Sequence, residues 1–359
     1  MKILSNFSKD VRQPLHTSGG YQWWYFDGVS SDDRFSFVVI IYEGNPFSTR
    51  YNRALLADKN PSPVDYPAIS ISIYEHGQPI YYSFTEFDKS DCHFDEEQPL
   101  VKIGNHKMEG RIKDKQLQYE LQLSEQLPNG DQLNGTIAFK SQNSGDLFKN
   151  LDKTSTGHTW NLVQPRADIS ADLDLDIKGE EKSITFKGQG YHDQNAGDEP
   201  MKNEFDDWYW GRFHFDYATL VYYVMNRRDE QQHRAWLING QNAEVLKTFE
   251  EVELADKGLT LFGLKTARKL GFRSGDIEIR VQQSQLLDNG PFYQRYKSDA
   301  FLKIPDQQVV ESTKGITEYI RPNRIYTKLF WPFVNMRIWF KPEGSHWVQR
   351  SQKLYRWTW

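Results

Sequence analysis

The sequence has little of what marks a secreted, disulfide-bonded or membrane-spanning protein. Cys92 is its single cysteine, so no internal disulfide can form. Residues 1–13 lack the apolar stretch of a signal peptide, and no run approaches the ~18 apolar residues of a membrane-spanning helix. We therefore expect a cytoplasmic protein, with peripheral contact at the inner face of the membrane left open.

Neither positive nor negative charge predominates in the sequence. The 44 Lys and Arg residues nearly balance the 49 Asp and Glu residues, and the formal net charge is -5. Such a balance excludes the basic surface that binds nucleic acid and favours a neutral or apolar small-molecule partner. No pattern in the sequence predicts an oligomeric state.

Patterns that bind metals or nucleotides are missing as well. The nine histidines occur without H-x-H, H-E-x-x-H or paired-cysteine spacing. Residues 172–177 alternate Asp with Leu or Ile, which indicates a strand with one solvated acidic face rather than a calcium loop. Gly188 and Gly190 begin a G-x-G, but Asp193 stands where a dinucleotide fingerprint needs its third glycine. We expect no metal and no cofactor.

Aromatic residues and alternating strands dominate what is present. Aromatic side chains make up 14% of the residues, and 11 of them are Trp. Apolar and polar residues alternate with period two in stretches such as 67–77, 117–126 and 277–285, and turn formers separate these stretches. Strands at this spacing, without amphipathic helices between them, predict an all-β protein of antiparallel barrels or sandwiches.

The length of the chain predicts two domains. At roughly 150 residues per domain, 359 residues correspond to two compact units. The charge-rich segment 197–207, which also contains Gly and Pro, interrupts the strands. We place the boundary inside it, which gives domains 1–203 and 204–359.

Large aromatic residues fill the strand predicted at 21–28. Tyr21, Trp23 and Tyr25 would project to one face, and Trp24 and Phe26 to the other, so both faces are expected to be buried. These rings either form core or line a cavity that holds a ligand. The residues alone leave both interpretations open.

Two short segments carry the candidate chemistry. His158 and Trp160 lie two residues apart, as do Tyr191 and Asp193, and an extended chain projects each pair to one side. One interpretation brings an acid, a histidine and two rings together in a pocket. The other is a buried Asp-His or Asp-Tyr hydrogen bond that closes a barrel end, with His192 on the opposite face.

Several segments, in order along the chain, resemble the carotenoid 1,2-hydratase family, also called hydroxyneurosporene synthases. The W-W-Y strand that begins at Trp23 is similar, and so are "GHTWNLVQPRA", which contains His158, and "GQGYHDQNAGDEPM", which is followed by "FDDWYWGR". The segment "GITEYIRPNRI" resembles an E-Y-x-x-P-x-R element of the wider superfamily. The resemblance extends from about residue 19 to 328 and is most specific at 188–212.

This resemblance implies two lipocalin-like antiparallel β-barrel domains packed together, with a pocket for a long apolar chain. It implies cofactor-independent addition of water to a terminal C=C bond of an acyclic carotenoid or a related terpenoid. The substrate is therefore expected to be an apolar isoprenoid. The residues of the matching segments that are expected to contact it are Trp23, Trp24, Tyr25, His192, Asn195, Trp208 and Trp210.

Asp193 is the expected proton donor of that reaction. Hydration of an unactivated double bond passes through a carbocation, so the carboxyl group must be neutral when substrate is bound, and apolar surroundings favour that form. Trp160 and Tyr191 can stabilise the cation through their π faces. His158 can position water or accept its proton.

Three functions stay open at this point. The first is a hydratase, a hydro-lyase that acts through Asp193. The second is a cyclase or isomerase that starts from the same acid in a drier pocket, as relatives in the superfamily do on prenylated or polyene substrates. The third is a carrier that binds an apolar ligand without chemistry.

Other residues of the matching segments are interpreted as structural. Glu318, Tyr319 and Arg324 are expected to fix the second barrel, mainly through a Glu-Arg pair. Asp27 is interpreted as a turn residue or as a partner of a site residue. The aromatic residues at 353–359 are expected to close a barrel rather than to dock on a membrane.

Overall fold

The computed structural model describes residues 1–15, 17–142, 157–227, 230–304 and 309–359. Over these residues the chain is predominantly β-strand and forms two compact units. The first unit contains Met1–Met201 and Lys328–Trp359, and the second contains Lys202–Thr327. Each unit is built on one curled and largely antiparallel sheet, which confirms the predicted all-β class.

The first unit holds most of the strands. They are β1 (Lys2–Leu4), β2 (Tyr21–Ser30), β3 (Phe35–Glu43), β4 (Ala68–Glu75), β5 (Gln78–Glu86), β6 (Cys92–Phe94), β7 (Leu100–Ile103), β8 (His106–Lys113), β9 (Gln116–Gln126), β10 (Gln132–Gln142), β11 (Thr159–Ile177) and β12 (Glu180–Gly197). The helix α1 (Thr49–Leu56) follows β3, and the short helix α2 (Met201–Glu204) follows β12.

The second unit contains β13 (Asp207–His214), β14 (Ala218–Arg227), β15 (Glu230–Asn239), β16 (Val245–Thr248), β17 (Glu251–Leu259), β18 (Lys265–Ser274), β19 (Ile277–Asn289), β20 (Tyr293–Ile304) and β21 (Val309–Ile320). Their order in the sheet is β16-β15-β14-β13-β21-β20-β19-β18-β17. Side chains from both halves of this sheet meet in one apolar core, which includes Tyr209, Phe213, Tyr222 and Phe272. The sheet therefore curls around its own core.

The last 32 residues return to the first unit with α3 (Trp331–Arg337), β22 (Trp339–Phe340) and α4 (Gln352–Trp357). Trp339 and Phe340 of β22 pair in parallel with β5, and the ring of Tyr355 lies 6.3 Å from that of Tyr82. The boundary expected at 203/204 lies two residues from the observed one, but the expected second domain of 204–359 is too long. Strand pairing and ring contacts, which sequence position does not reveal, hold this segment in the first unit.

The sheet of the first unit has a concave and a convex face. Its strand order is β22-β5-β4-β3-β2-β12-β11-β10-β9-β8-β7-β6, and β1 pairs with β11. The ring of Phe26 on β2 lies 5.8 Å from Tyr119 on β9 and 5.2 Å from Phe139 on β10. Because β2 and β9 are not neighbours in the sheet, these contacts reach across the curl. Phe26 therefore marks the concave face.

Strand register assigns the neighbouring residues to one face or the other. His192 of β12 lies opposite Phe26, whereas Asp193 lies opposite Tyr25. Since paired residues project to the same side of a sheet, His192 is on the concave face and Asp193 is on the convex face. Both faces are buried here, as expected for the aromatic strand at 21–28.

The acidic stretch at 172–177 forms part of β11, as predicted. Leu173 and Leu175 are buried, while Asp172 and Asp174 are exposed. The hydroxyl groups of Thr185 and Ser183 on β12 donate hydrogen bonds to Asp172 and Asp174, respectively. Within the described residues, no helix combines the length and the apolar character needed to cross a membrane.

Candidate active site

The carboxyl group of Asp193 accepts hydrogen bonds from three donors on the convex face. Trp160 donates its indole N–H to Oδ2 at 2.7 Å, and Tyr191 donates its hydroxyl group to the same oxygen at 2.6 Å. Asn195 donates from Nδ2 to Oδ1 at 2.9 Å. All four side chains are buried. The alternation of β12 and its pairing with β11 thus bring the predicted acid and both predicted rings together.

His158 joins this group through Asn195. Its Nε2 lies 2.9 Å from Oδ1 of Asn195, and its Nδ1 lies 3.0 Å from the hydroxyl group of Tyr21. Because an amide oxygen can only accept, Nε2 carries the proton, and Nδ1 of the neutral ring accepts from Tyr21. The result is a buried chain from Tyr21 through His158 and Asn195 to Asp193.

Burial changes the acid–base behaviour of His158. It lowers the pKa of the imidazole from 6.5 to about 3, although the hydrogen bond to Asn195 opposes this change. His158 is therefore neutral at neutral pH and is a much weaker base than an exposed histidine. The sequence prediction that it handles water stays a prediction, and the geometry places it behind Asn195 rather than against the carboxylate.

Aromatic rings surround the hydrogen-bonded chain. The ring of Tyr25 makes an edge contact with Tyr191 at 6.1 Å, and Trp23 lies 5.7 Å from His158. Tyr21 stacks on Trp23 at 5.4 Å. Of the aromatic residues expected to contact a ligand, Trp23 and Tyr25 thus lie on the same face as Asp193.

Two other candidates lie on the opposite face of the sheet. Trp24 projects to the concave side, where its ring stacks on Phe94 at 5.7 Å. His192 stacks on Phe26, with ring centroids 3.8 Å apart, and is separated from the Asp193 group by the sheet itself. The expectation that His192 lies opposite Asp193 agrees with this placement, whereas contact with a ligand beside Asp193 does not.

His192 belongs to a second buried polar group. Its Nδ1 lies 3.0 Å from the backbone oxygen of Tyr25, and its Nε2 lies 2.9 Å from Oδ2 of Asp10. Tyr119 donates its hydroxyl group to that same carboxylate oxygen. Asp10 precedes the first long strand, so this group fastens the N-terminal segment into the concave face.

Trp208 and Trp210 lie on β13 of the second unit. They alternate with Tyr209, which is part of the core of that unit, so they project to the other face of their sheet. Trp208 stacks on Tyr223 at 6.0 Å. Both indole rings are buried.

The ion pair expected in the second unit has a different partner. Glu318 pairs with Arg295, whose Nε lies 2.9 Å from Oε1, and Tyr293 donates to the same oxygen. Arg324 instead donates to the backbone oxygens of Phe262 and Gly263. A Glu-Arg pair therefore exists, but strand pairing selects a residue on β20 that the sequence motif does not contain.

Tyr21 is a site residue that the sequence did not single out with this role, whereas Asp27 was interpreted as a turn residue or as a partner of a site residue. Asp27 lies within β2 rather than in a turn, opposite Tyr191, and is fully buried on the convex face. Tyr21 shares the period-two face of Trp23 and Tyr25, which is the signal that identifies it. In the described part of the chain, no group of three or more His, Cys, Asp or Glu side chains is placed to hold a metal.

The chain folds into two curled, largely antiparallel sheets, and one of them carries a buried carboxyl group among aromatic rings. This architecture is that of a lipocalin-like all-β protein. A crystal structure of CghA with Sch210972 has the same fold, with a TM-score of 0.59 at 10% sequence identity. The match covers 89% of this chain and 98% of that chain. At this identity, the likeness concerns the fold alone.

Residues 39–348 match the family model of the carotenoid hydratase CrtC. The chain belongs to this family, which confirms the resemblance of its motifs, and it is therefore an enzyme. The match includes Trp160, Tyr191, Asp193 and Asn195.

Three known proteins illustrate the range of similarity. The hydroxyneurosporene dehydrogenase of Chlorobaculum tepidum is 28% identical over 357 residues, which cover 94% of this chain and 92% of the relative. The acyclic carotenoid 1,2-hydratase of Rubrivivax gelatinosus is 27% identical over 296 residues, or 77% of this chain and 64% of the relative. The quinolone epoxide rearrangement protein of Emericella nidulans is 31% identical over 82 residues, which cover 23% of this chain and 22% of the relative.

Proposed function

We propose that this enzyme adds water to a terminal C=C bond of an acyclic carotenoid or a related terpenoid, without a cofactor, and that Asp193 is the acid. The observation that carries the proposal is the buried carboxyl group of Asp193, held by Trp160, Tyr191 and Asn195. Family membership supports an apolar isoprenoid substrate. The names of the relatives from Rubrivivax gelatinosus and Chlorobaculum tepidum describe different reactions, so the assay must separate hydration from dehydrogenation.

In the first step, neutral Asp193 transfers its proton to the less substituted carbon of the double bond. A C–H bond forms, the π electrons are consumed, and a tertiary cation remains on the neighbouring carbon. Trp160 and Tyr191 hold the carboxyl group through hydrogen bonds to Oδ2. In this proposal their rings also stabilise the carbon that becomes positive. Such cation–π contacts contribute up to about 2 kcal/mol in a desolvated site.

In the second step, water attacks the tertiary cation and forms the C–O bond. The resulting oxonium ion then loses a proton to the Asp193 carboxylate, which restores the acid for the next turnover. His158 is not placed to accept this proton, because its Nε2–H donates to Asn195 and its Nδ1 accepts from Tyr21. In this scheme His158 is a positioning residue that orients Asn195, and Asn195 orients Asp193.

Incubation with acyclic carotenoids in deuterated water, followed by mass spectrometry, tests the reaction. Hydration yields a product heavier than the substrate by one deuterated water. Asp193→Asn keeps the size of the side chain but cannot donate the acidic proton, so turnover should fall by roughly 10²–10⁴-fold. Asp172→Asn, which alters an exposed carboxylate of β11, is the matched control and should keep wild-type turnover.

Each other product has a definite meaning. An isomer that carries one new deuterium would indicate cyclisation or double-bond migration, started by the same acid, instead of hydration. A product that has lost two hydrogens would indicate dehydrogenation, and an unchanged but retained ligand would indicate a carrier. Undiminished hydration by the Asp193→Asn enzyme would remove Asp193 from the mechanism.

A further inference from the structure

The C-terminal segment Lys328–Trp359 differs in charge from the rest of the chain. It contains six Lys or Arg residues and one acidic residue, Glu343, which gives it a charge of +5 in a protein of net charge -5. Glu343 is already paired with Arg50, with 2.8 Å between Nε and Oε1. The exposed cations of this segment are Lys328, Lys341, Arg350 and Lys353.

The same segment exposes large apolar side chains. Trp357 is 75% exposed, Leu329 74% and Trp347 65%, while Phe333 and Leu354 are each 39% exposed. A tryptophan that serves a core is buried, as Trp331 is in the same segment. Exposed tryptophans between exposed cations need a different explanation.

Helix α4 shows how this surface is organised. Tyr355 faces inward and is 1% exposed, where its ring contacts Tyr82. Leu354 and Trp357 are three residues apart, and Lys353 and Trp357 four apart, so these three side chains share the outward face. The helix therefore has an apolar inner side and an outer side that is apolar and basic rather than purely polar.

We propose that the exposed apolar and basic side chains of Lys328–Trp359, those of α4 first among them, dock on an anionic lipid bilayer. Tryptophan is favoured at the membrane–water interface because its ring is apolar and its N–H is polar. Lysine and arginine near the surface are attracted by the anionic headgroups. A protein surface that exposes both side-chain types is expected to bind an anionic bilayer, because the interface favours the tryptophan rings and attracts the cations.

The surface also adjoins the face that carries Asp193. β22 of the segment pairs with β5. Strand register then connects Phe84 on β5 through Ser70, Ile40 and Tyr25 to Asp193, all on the convex face. Delivery of an isoprenoid from the bilayer along this face rests on the proposed function, whereas docking itself does not.

Flotation of the full-length protein with phosphatidylcholine vesicles, with and without phosphatidylglycerol, tests the docking. We expect binding to the anionic vesicles, weaker binding at high salt, and a loss of at least about tenfold in the Trp347→Ser/Trp357→Ser variant. Leu259→Ser/Leu261→Ser is the matched control, because those leucines are 72% and 84% exposed but lie in the second unit. The control should bind as the wild type does.

The proposal is overturned if the wild type does not bind anionic vesicles, if the tryptophan variant binds undiminished, or if the leucine control loses binding equally. A second measurement compares turnover of carotenoid in vesicles and in detergent micelles. The tryptophan variant should be slower only in vesicles. If no carotenoid is converted in either medium, the proposed function fails, and the flotation result still decides the docking.

Discussion

At the scale of single residues, burial sets the acid–base properties of the first unit. His158, which directly precedes β11, is buried and has a pKa of about 3 in the folded protein. In an unfolded chain its pKa would be about 6.5. As pH falls, His158 is therefore protonated in the unfolded chain at a higher pH than in the folded protein, and folding then requires the loss of that proton.

The His158→Gln variant tests this linkage. In the wild type, the His158 contribution to the free energy of unfolding is fully present above pH 6.5 and decreases as pH falls towards 3, by up to about 1.4 kcal/mol per pH unit. Urea unfolding between pH 7.5 and 4.5 should show a smaller loss of stability in His158→Gln. His93→Gln, which alters an exposed histidine, is the control.

Glu86 predicts the opposite slope. It is fully buried beside Arg50, and burial raises its pKa from 4.5 to about 7. Here the folded protein binds the proton more tightly, so the free energy of unfolding decreases as pH rises from 4.5 through 7. Glu86→Gln should flatten this decrease in urea unfolding between pH 5 and 8. An unchanged slope would mean that Arg50 compensates the buried charge at every pH.

The sequence predicted most residues of the Asp193 group, and a hydrogen bond between Tyr191 and Asp193 was one of the two interpretations it left open. The hydrogen bonds from Trp160 and Asn195 to Asp193 were not predicted. The two-residue spacing of a strand predicted that Tyr191 and Asp193 share a face, and that His158 and Trp160 share a face. Which residues lie across from them depends on the pairing of β12 with β2 and β11. The period of two along β2 identifies the face of Tyr21, whereas the position of Asp27 opposite Tyr191 follows only from the pairing of β2 with β12.

At the scale of elements, close contact between β12 and β2 restricts Gly188. A Cβ atom at this position would lie 1.9 Å from the backbone oxygen of Val29. Backbone cannot move aside as a flexible side chain can, so Gly188→Ala should cost about 3 kcal/mol or more.

The matched control for that substitution is Gly271→Ala in β18. A Cβ atom there would meet nothing nearer than Glu253 Cβ at 3.7 Å, so the free energy of unfolding should stay within about 1 kcal/mol of the wild type. Denaturant unfolding of both variants provides the comparison. Equal stability of the two would show that β2 and β12 separate at little cost.

Strand existence was more predictable than strand placement. Alternation identified β4, β9 and β11, because one face of each is apolar, whereas large aromatic residues on both faces predicted β2. It could not assign the concave and convex faces, since β2 is aromatic on both. The ladder between β11 and β12 also shifts register on both sides of Gln164, next to Pro165, which lacks the N–H of a regular ladder.

At the scale of the molecule, the first unit is discontinuous in sequence. Its last part, Lys328–Trp359, returns after all of Lys202–Thr327. A boundary drawn from composition finds the place where one unit ends but not the later return. The contacts that decide it, such as Tyr355 with Tyr82, are made by side chains far apart in sequence.

Two substitutions in α4 measure how much the returning segment Lys328–Trp359 contributes to the stability of the first unit. Tyr355→Ala removes a buried ring and should destabilise the first unit by about 3 kcal/mol. Trp357→Ser alters an exposed side chain of the same helix and should change stability by less than about 0.5 kcal/mol. Hydrogen exchange should locate the effect of Tyr355→Ala in the first unit. Protection lost equally in both units would contradict the division.

Because Asp193 lies on the convex face, core packing and ligand binding would use opposite faces of this sheet, whereas many binding barrels place both inside the barrel. A barrel that holds its ligand inside must leave room where a core would pack. Here Phe26, Tyr119 and Phe139 fill the concave side, while Tyr25 and Asp193 point away from it. Under the proposed function, the residues that select a substrate lie on the convex side, so changes in specificity would leave the packing of the concave core intact.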